Sequence, residues 1–260
     1  MIRLVFPIRR LPGTRLEDFH RYWLERHAPL VVSHQRSLGI LRYIQTHRVE
    51  VPAKNILALG RGPEEGPYDG VAELWYASED AMLAAAMDKE GRRGARELLE
   101  DERTFIDLPS SPIWMSREYP KISPEEEIVA LPHKSIVKVH LLVRQPVGMP
   151  SEEARQYWLC KHGPLVCEYA TARGILRYQQ VHRFESPIEV GLRQARGTVI
   201  DPYLGHDELW IDSNVLQITR EAREADRAMI EDRFKFIDLA RSGVWMGKEH
   251  VIINERRADT

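Results

Sequence analysis

The sequence predicts an α+β protein built from two βαββαβ repeats that close on each other as an intramolecular, pseudo-dimeric α+β barrel. Three observations predict it. The chain matches itself along most of its length at an offset of about 130 residues. Each copy runs through period-two and helical apolar patterns in the same order. Each copy taken alone would leave one face of its sheet uncovered, and the other copy can supply the cover.

The repeat is explicit in the letters. "YWLERHAPLV" (22–31) returns as "YWLCKHGPLV" (157–166), "GILRYIQTHR" (39–48) as "GILRYQQVHR" (174–183), and "YDGVAELW" (68–75) as "YLGHDELW" (203–210), all offset by 135. The "FIDL…WM" phrases starting at Phe105 and Phe236 are offset by 131, so a four-residue deletion falls in the helical stretch between Ala81 and Glu100. A period this long makes each copy a domain and not a solenoid unit. The expected division is a first domain over 1–117, a proline-punctuated connector over 118–134 ("EYPKISPEEEIVALPHK"), and a second domain over 135–260.

The elements follow in order. Ile2 to Arg9 and Ile136 to Arg144 are short, aliphatic and β-branched, hence first strands. Thr14 and Glu17 suggest a capping box opening the first helix, and Ser151 opens its counterpart behind Pro150. Leu16, Phe19, Trp23, His27 and Leu30 share one helical stripe, with Pro29 and Pro164 expected to end the helix just past His27 and His162. "LRYIQTHR" reads as strand two and "GVAELWY" as strand three. One long helix, N-capped by Ser78, is expected over "SEDAMLAAAMDKEGRRGARELLEDE", with Asp212 or Ser213 capping the equivalent helix. "IWMSRE" and "VWMGKE" close each unit. This order is the split βαβ, ferredoxin-like layout, with both helices on one sheet face. The loops at 49–67 and 184–202 are long for hairpin connections and fit rims, lids or interface pieces; "NILAL" (55–59) could form a helical turn capping a barrel mouth.

Composition narrows the function classes. A formal charge of −2 and a pI near 6.6 give no electrostatic case for nucleic acid or an anionic membrane, which leaves a small molecule as the expected partner. Cys160 and Cys167 do not form a disulfide framework, "MIRLVFPIRRLPG" lacks a signal-peptide core, and no apolar run approaches the roughly 20 residues of a membrane span. A soluble, cytoplasmic protein is expected, and a homodimer of the two-domain chain is left open.

"FHRYWLERHAPLV", "GILRYIQTHR" and "YDGVAELW", with their counterparts in the second copy, resemble the EthD family of the dimeric α+β barrel superfamily. The resemblance covers each copy nearly end to end. It implies the barrel fold, a cofactor-free pocket in each half, and relatives that act as dehydratases, lactone isomerases or polyketide cyclases, or that have no known activity. The copies differ at Asp69/Leu204 and Val71/His206, so their pockets should differ.

The residues themselves offer three candidate groups. His27 and His162, beside Trp23 and Trp158, are candidates for acid–base work at a pocket wall, or else core histidines bonded to freed carbonyls. By alternation Tyr43, Gln45 and His47 share one face of strand two, as do Tyr178, Gln180 and His182; they are expected to line the barrel and steady an oxyanion, with a solvent-facing edge as the alternative. Glu73 with Trp75, and Glu208 with His206 and Trp210, point into the barrel. There burial would raise a carboxylate towards the range of a useful base, or Arg3 and Lys138 would neutralise it. His140 and His206 stand where the first copy has Val5 and Val71, which favours the second copy as the seat of catalysis. No metal is expected, because these histidines and glutamates lack a metal-binding helix motif or tight spacing. No cofactor is expected either: "GRGPEEGPYDG" is not a phosphate loop, and the polar ring of Tyr, Gln, His and Glu argues against haem. The expected activity is a cofactor-independent lyase or isomerase, dehydratase- or cyclase-like, acting on a small carbonyl-bearing aromatic, lactone or polyketide-like substrate. The rivals are a ligand-binding protein and a cofactor-free oxygenase.

Overall fold

In the computed structural model, which describes residues 1–50, 65–214 and 219–255, eight antiparallel strands close a barrel. The strands are β1 (Ile2–Ile8), β2 (Arg42–Val49), β3 (Gly70–Tyr76), β4 (Trp114–Ile122), β5 (Ile136–Val143), β6 (Ile175–Arg183), β7 (Gly205–Asp212) and β8 (Val244–Asn254). Their order round the barrel is β1-β3-β2-β8-β5-β7-β6-β4. Each repeat therefore contributes a sheet in the same order, β4-β1-β3-β2 and β8-β5-β7-β6. The seams are β2 with β8 (Thr46 opposite Glu249) and β4 with β6 (Glu118 opposite Val181). Both edges of each sheet are consumed by the other repeat, which removes the edge-strand hazard of a lone unit.

Alternation along the strands divides the protein into three apolar layers. Ile2, Leu4, Phe6 and Ile8 of β1 face the first repeat's helices with Phe19 and Trp23, and Val137, Val139, Leu141 and Val143 of β5 do the same in the second repeat with Trp158. Inside the barrel, Val5, Val71, Trp114, Leu142, Val181 and Trp245 pack with Tyr68 and Tyr203.

Several local expectations are corrected. The first helix, Leu16–Tyr22, has Arg15 at its N-cap and no side-chain cap, so Thr14 and Glu17 do not form a capping box. Pro29 and Pro164 do not end their helices. A π-turn, Trp23–His27 in one repeat and Trp158–His162 in the other, precedes each proline, and the chain continues as Ala28–Ser33 and Gly163–Glu168. Proline has no N–H for the α-helical bond, and the wider turn absorbs that mismatch. The long helix after β3 breaks at Asp88 into Glu79–Met87, capped by Ser78 as expected, and Lys89–Glu102, capped by Asp88. Its counterpart Arg220–Arg233 is capped by Thr219, not by Asp212 or Ser213. β4 runs to Ile122, so the first residues of the expected connector belong to the barrel. The 184–202 segment contains a helix, Pro187–Arg196, N-capped by Ser186. "NILAL" lies outside the described residues. Among the described residues no helix is long and apolar enough to cross a membrane, and Cys160 and Cys167 are free thiols.

Candidate functional site

The sequence-selected residues separate into two places. Tyr43, Gln45 and His47 do not line the barrel. In the β2–β3 register they stand opposite Leu74, Ala72 and Gly70, and directly opposed residues share a face, here the helix-covered one. They join the π-turn residues. Trp23 Nε1–H donates to the Tyr43 hydroxyl at 3.1 Å, Gln45 Nε2–H donates to the Trp23 carbonyl at 3.0 Å and to Tyr43 at 2.9 Å, and His47 stacks on Trp23 at 4.8 Å. Burial is the first cause holding His47 down at about 2, so it is neutral. In the second repeat Gln180 Nε2–H likewise donates to the Trp158 carbonyl and the Tyr178 hydroxyl and His182 stacks on Trp158, but Trp158 Nε1–H does not go to the tyrosine, and burial holds His182 at about 3. Gly70 makes the stack possible, since a Cβ there would lie 2.6 Å from the Trp23 ring and from the Thr46 carbonyl.

His27 closes this group. Its Nδ1 lies 2.7 Å from Asp101 Oδ2, and the Tyr22 hydroxyl donates to Asp101 Oδ1 at 2.7 Å. Burial would raise the Asp101 carboxyl, but these two bonds outweigh it and hold the acid below its usual range. An ionised Asp101 accepts the hydrogen bond of Nδ1–H, so the Nε2 lone pair is the one left for chemistry. His27, Trp23 and Tyr43 share a cavity of about 580 Å³ with apolar residues such as Leu38, Ile40, Leu98 and Leu99. One end is polar, where Arg196 from the second repeat's Pro187–Arg196 helix meets Glu102 at 2.8 Å. Burial raises the Tyr43 phenol, which stays protonated, and because it accepts from Trp23 and Gln45 its own O–H remains to be donated.

The second repeat has the same dyad without the space. His162 Nδ1 lies 2.8 Å from Asp232, and Tyr157 donates to that acid at 2.6 Å. The corresponding cavity is only about 30 Å³. Arg173, Asp226 and Arg233 occupy the positions of Leu38, Ala95 and Glu102, with Arg173 paired to Asp226 at 2.8 Å. Asp207, where the first repeat has Ala72, accepts the Tyr178 hydroxyl at 2.8 Å and Trp158 Nε1–H at 3.0 Å. The second copy, expected to be the better seat of catalysis, has no comparable space beside its dyad.

Glu73, Trp75, Glu208, Trp210, His140 and His206 do point into the barrel, as expected. The two glutamates are not free bases. Lys138 Nζ lies 2.7 Å from Glu73 and 2.9 Å from Glu208, Arg3 binds both carboxylates, and Thr46 and Gln179 donate to Glu73 and Glu208 respectively. Burial alone would raise Glu208. The charges of Arg3 and Lys138 and the bond from His206 outweigh it and hold the carboxyl well below its usual range. Trp75 and Trp210 donate to Glu118 and Glu249 at 3.0 and 2.8 Å. At this end the barrel opens into a polar pocket of about 470 Å³, where Glu127 of the connector bridges Arg42 (2.5 Å) and Arg177 (3.3 Å).

Sequence reasoning missed Asp101 and Asp232, which orient the histidines. A signal was present: "EDERTFIDL" and "EDRFKFIDL" superimpose at the offset of 131, aligning the two acids. Glu102, Arg196 and the role of the Pro187–Arg196 helix carried no such signal.

Among solved structures the chain resembles an anthrone oxidase-like protein, with a TM-score of 0.57 and 9% identity over 100% of this chain and 96% of that one. That likeness shows the fold. Two weaker likenesses carry no weight: a protein from Lactobacillus acidophilus NCFM provisionally named a monooxygenase (TM-score 0.46, 10% identity, 98% and 96% coverage) and one provisionally named a chlorite dismutase (0.48, 13%, 96% and 95%). No curated protein matches the sequence. The EthD domain family matches residues 11–109 and 147–240, one segment in each repeat, and the chain accordingly belongs to the EthD family as a tandem of two such domains.

Proposed function

We propose that the chain is an enzyme whose chemistry is confined to the first repeat, where His27 acts as a general base at the wall of the apolar cavity. One observation carries this reading: His27, held by Asp101, lines a space of about 580 Å³, whereas His162, held by Asp232, is fully buried beside a cavity of only about 30 Å³. The apolar walls suit an aromatic or polyketide-like molecule. His27 Nε2 would take a proton α to its carbonyl, and the Tyr43 O–H would donate to the oxyanion that forms. The reaction is of the lyase or isomerase class, dehydratase- or cyclase-like, and needs no cofactor for the proton transfer. In this reading each repeat is a ferredoxin-like domain and the first extends to Ile122.

The competing reading is a cofactor-free oxygenase, in which the same base yields a carbanion that reacts with dioxygen; the name of the anthrone oxidase-like structure motivates including it. The test is deuterium exchange at the α-carbon of a panel of aryl ketones, lactones and anthrone-type compounds in D2O, read by NMR, with an oxygen electrode in parallel. The wild-type protein is expected to exchange without consuming dioxygen. His27→Ala should lower the rate about 10²- to 10⁴-fold with binding little changed, and His162→Ala should not. Dioxygen uptake would select the oxygenase. Binding without exchange or uptake would leave a ligand-binding protein.

A further inference from the structure

The barrel interior holds a feature that the cavity chemistry does not use. His140 on β5 and His206 on β7 are fully buried, with ring centroids 5.6 Å apart. Neither ring nitrogen of His140 has a hydrogen-bond partner among the described residues, nor does Nδ1 of His206, whose Nε2 lies 3.1 Å from Glu208. Buried imidazoles with unsatisfied nitrogens are uncommon, because the desolvated dipole has nothing to replace its water. Two in adjacent positions call for a physical reason. Packing alone does not supply one, because the first repeat fills the same two positions with Val5 and Val71.

We propose that the barrel interior is a binding site for one divalent first-row transition-metal ion, held by the imidazoles of His140 and His206 and the carboxylates of Glu208 and Glu73. One donor atom from each of these four buried residues lies within 4.8 Å of the others, against roughly 3.3 Å between donors of a tetrahedral shell with bonds of about 2 Å, so the side chains would have to draw together by about 1.5 Å at most to close it. The charge balance favours a cation. Counted with the mouth, five carboxylates, Glu73, Glu208, Glu249, Glu118 and Glu127, face four cations, Arg3, Lys138, Arg42 and Arg177, which leaves one negative charge in excess at this end of the barrel. Arg42 and Arg177, at the mouth, are engaged by Glu127. Mixed imidazole and carboxylate ligation suits Zn²⁺, Fe²⁺, Co²⁺ or Ni²⁺ better than Ca²⁺ or Mg²⁺. Because Glu73 comes from the first repeat and the other three ligands from the second, the ion would tie the two repeats together across the barrel.

The test uses the full chain after dialysis against EDTA, titrated with Zn²⁺ by calorimetry and with Co²⁺ by visible absorption. One equivalent is expected to bind and to raise Tm. His140→Val and His206→Val, which install the residues of the first repeat, should each weaken binding at least tenfold, while His27→Ala should bind as the wild type does, which separates this site from the His27 reading. If either valine variant fails to fold, an anomalous difference map from a wild-type crystal soaked in ZnCl2 decides: a peak between His140 and His206 supports the site. No saturable binding, undiminished binding in both variants, or peaks only at surface histidines would overturn it.

Discussion

The two repeats build the same wall and put different things behind it. Trp23, His27, Tyr43 and Asp101 of the first repeat correspond one for one to Trp158, His162, Tyr178 and Asp232 of the second, down to the π-turn and the tyrosine on the acid. The difference lies opposite them. Leu38, Ala95 and Glu102 leave a cavity of about 580 Å³, whereas Arg173, Asp226 and Arg233 fill the same region down to about 30 Å³. The lesson is that a conserved-looking catalytic wall is not a site until something across from it leaves room.

That contrast can be broken deliberately. The largest effect should come from filling the first cavity: Leu38→Arg with Ala95→Asp transplants the Arg173–Asp226 pair and should weaken binding of an aromatic reporter dye at least about a hundredfold, roughly 2.7 kcal/mol, with the barrel still folded. Dye binding that survives would mean the cavity is not the ligand site. Conversely, Arg173→Leu alone should cost of order 1–3 kcal/mol of stability by stranding Asp226, which keeps part of its surface in water, and adding Asp226→Ala should recover most of it in a denaturant titration. Next, Ala72→Asp gives Tyr43 the acceptor that Tyr178 already has, and should lower turnover about tenfold by occupying the O–H. An unchanged rate would remove Tyr43 from the mechanism.

The smallest effect concerns what the repeats share. Burial lowers the folded-state pKa of His47 to about 2 and of His182 to about 3, below the roughly 6.5 of an unfolded chain. The unfolded state therefore binds more protons, and the stability each ring contributes is complete above about pH 6.5 and lost as pH falls. Between pH 7 and 5.5 each should account for about 1 kcal/mol, and His47→Gln and His182→Gln should flatten the pH dependence of urea midpoints equally. Unequal slopes would show that the two stacks are not equivalent.

Much of this was legible in the chain. Periodicity located every strand, though β4 and β8 run four and five residues past their expected ends, because a strand that is buried on both faces still alternates between two differently occupied sides. The inward direction of Glu73, His206 and Glu208 followed from Ala72, Leu74 and Tyr76 being suited to helices. Strand two was assigned to the wrong face, because its two sets, Tyr-Gln-His and Arg-Ile-Thr, are both amphipathic. Only the pairing of Tyr43 with Leu74 fixes which set meets the helices. The π-turns were invisible for a related reason: a proline two residues after the histidine ends an α-helix but is absorbed by a wider turn.

By itself the sequence determined the duplication, the order of elements, the closed barrel and the residue types that could do acid–base work, since these depend on local pattern and on the need of each sheet for a cover. The tertiary structure decided which repeat holds a cavity, that Asp101 and Asp232 orient the histidines, and that His140, His206, Glu208 and Glu73 converge. Those outcomes depend on the volumes and charges of side chains brought together from distant parts of the chain, and spacing along a single strand or helix does not encode them.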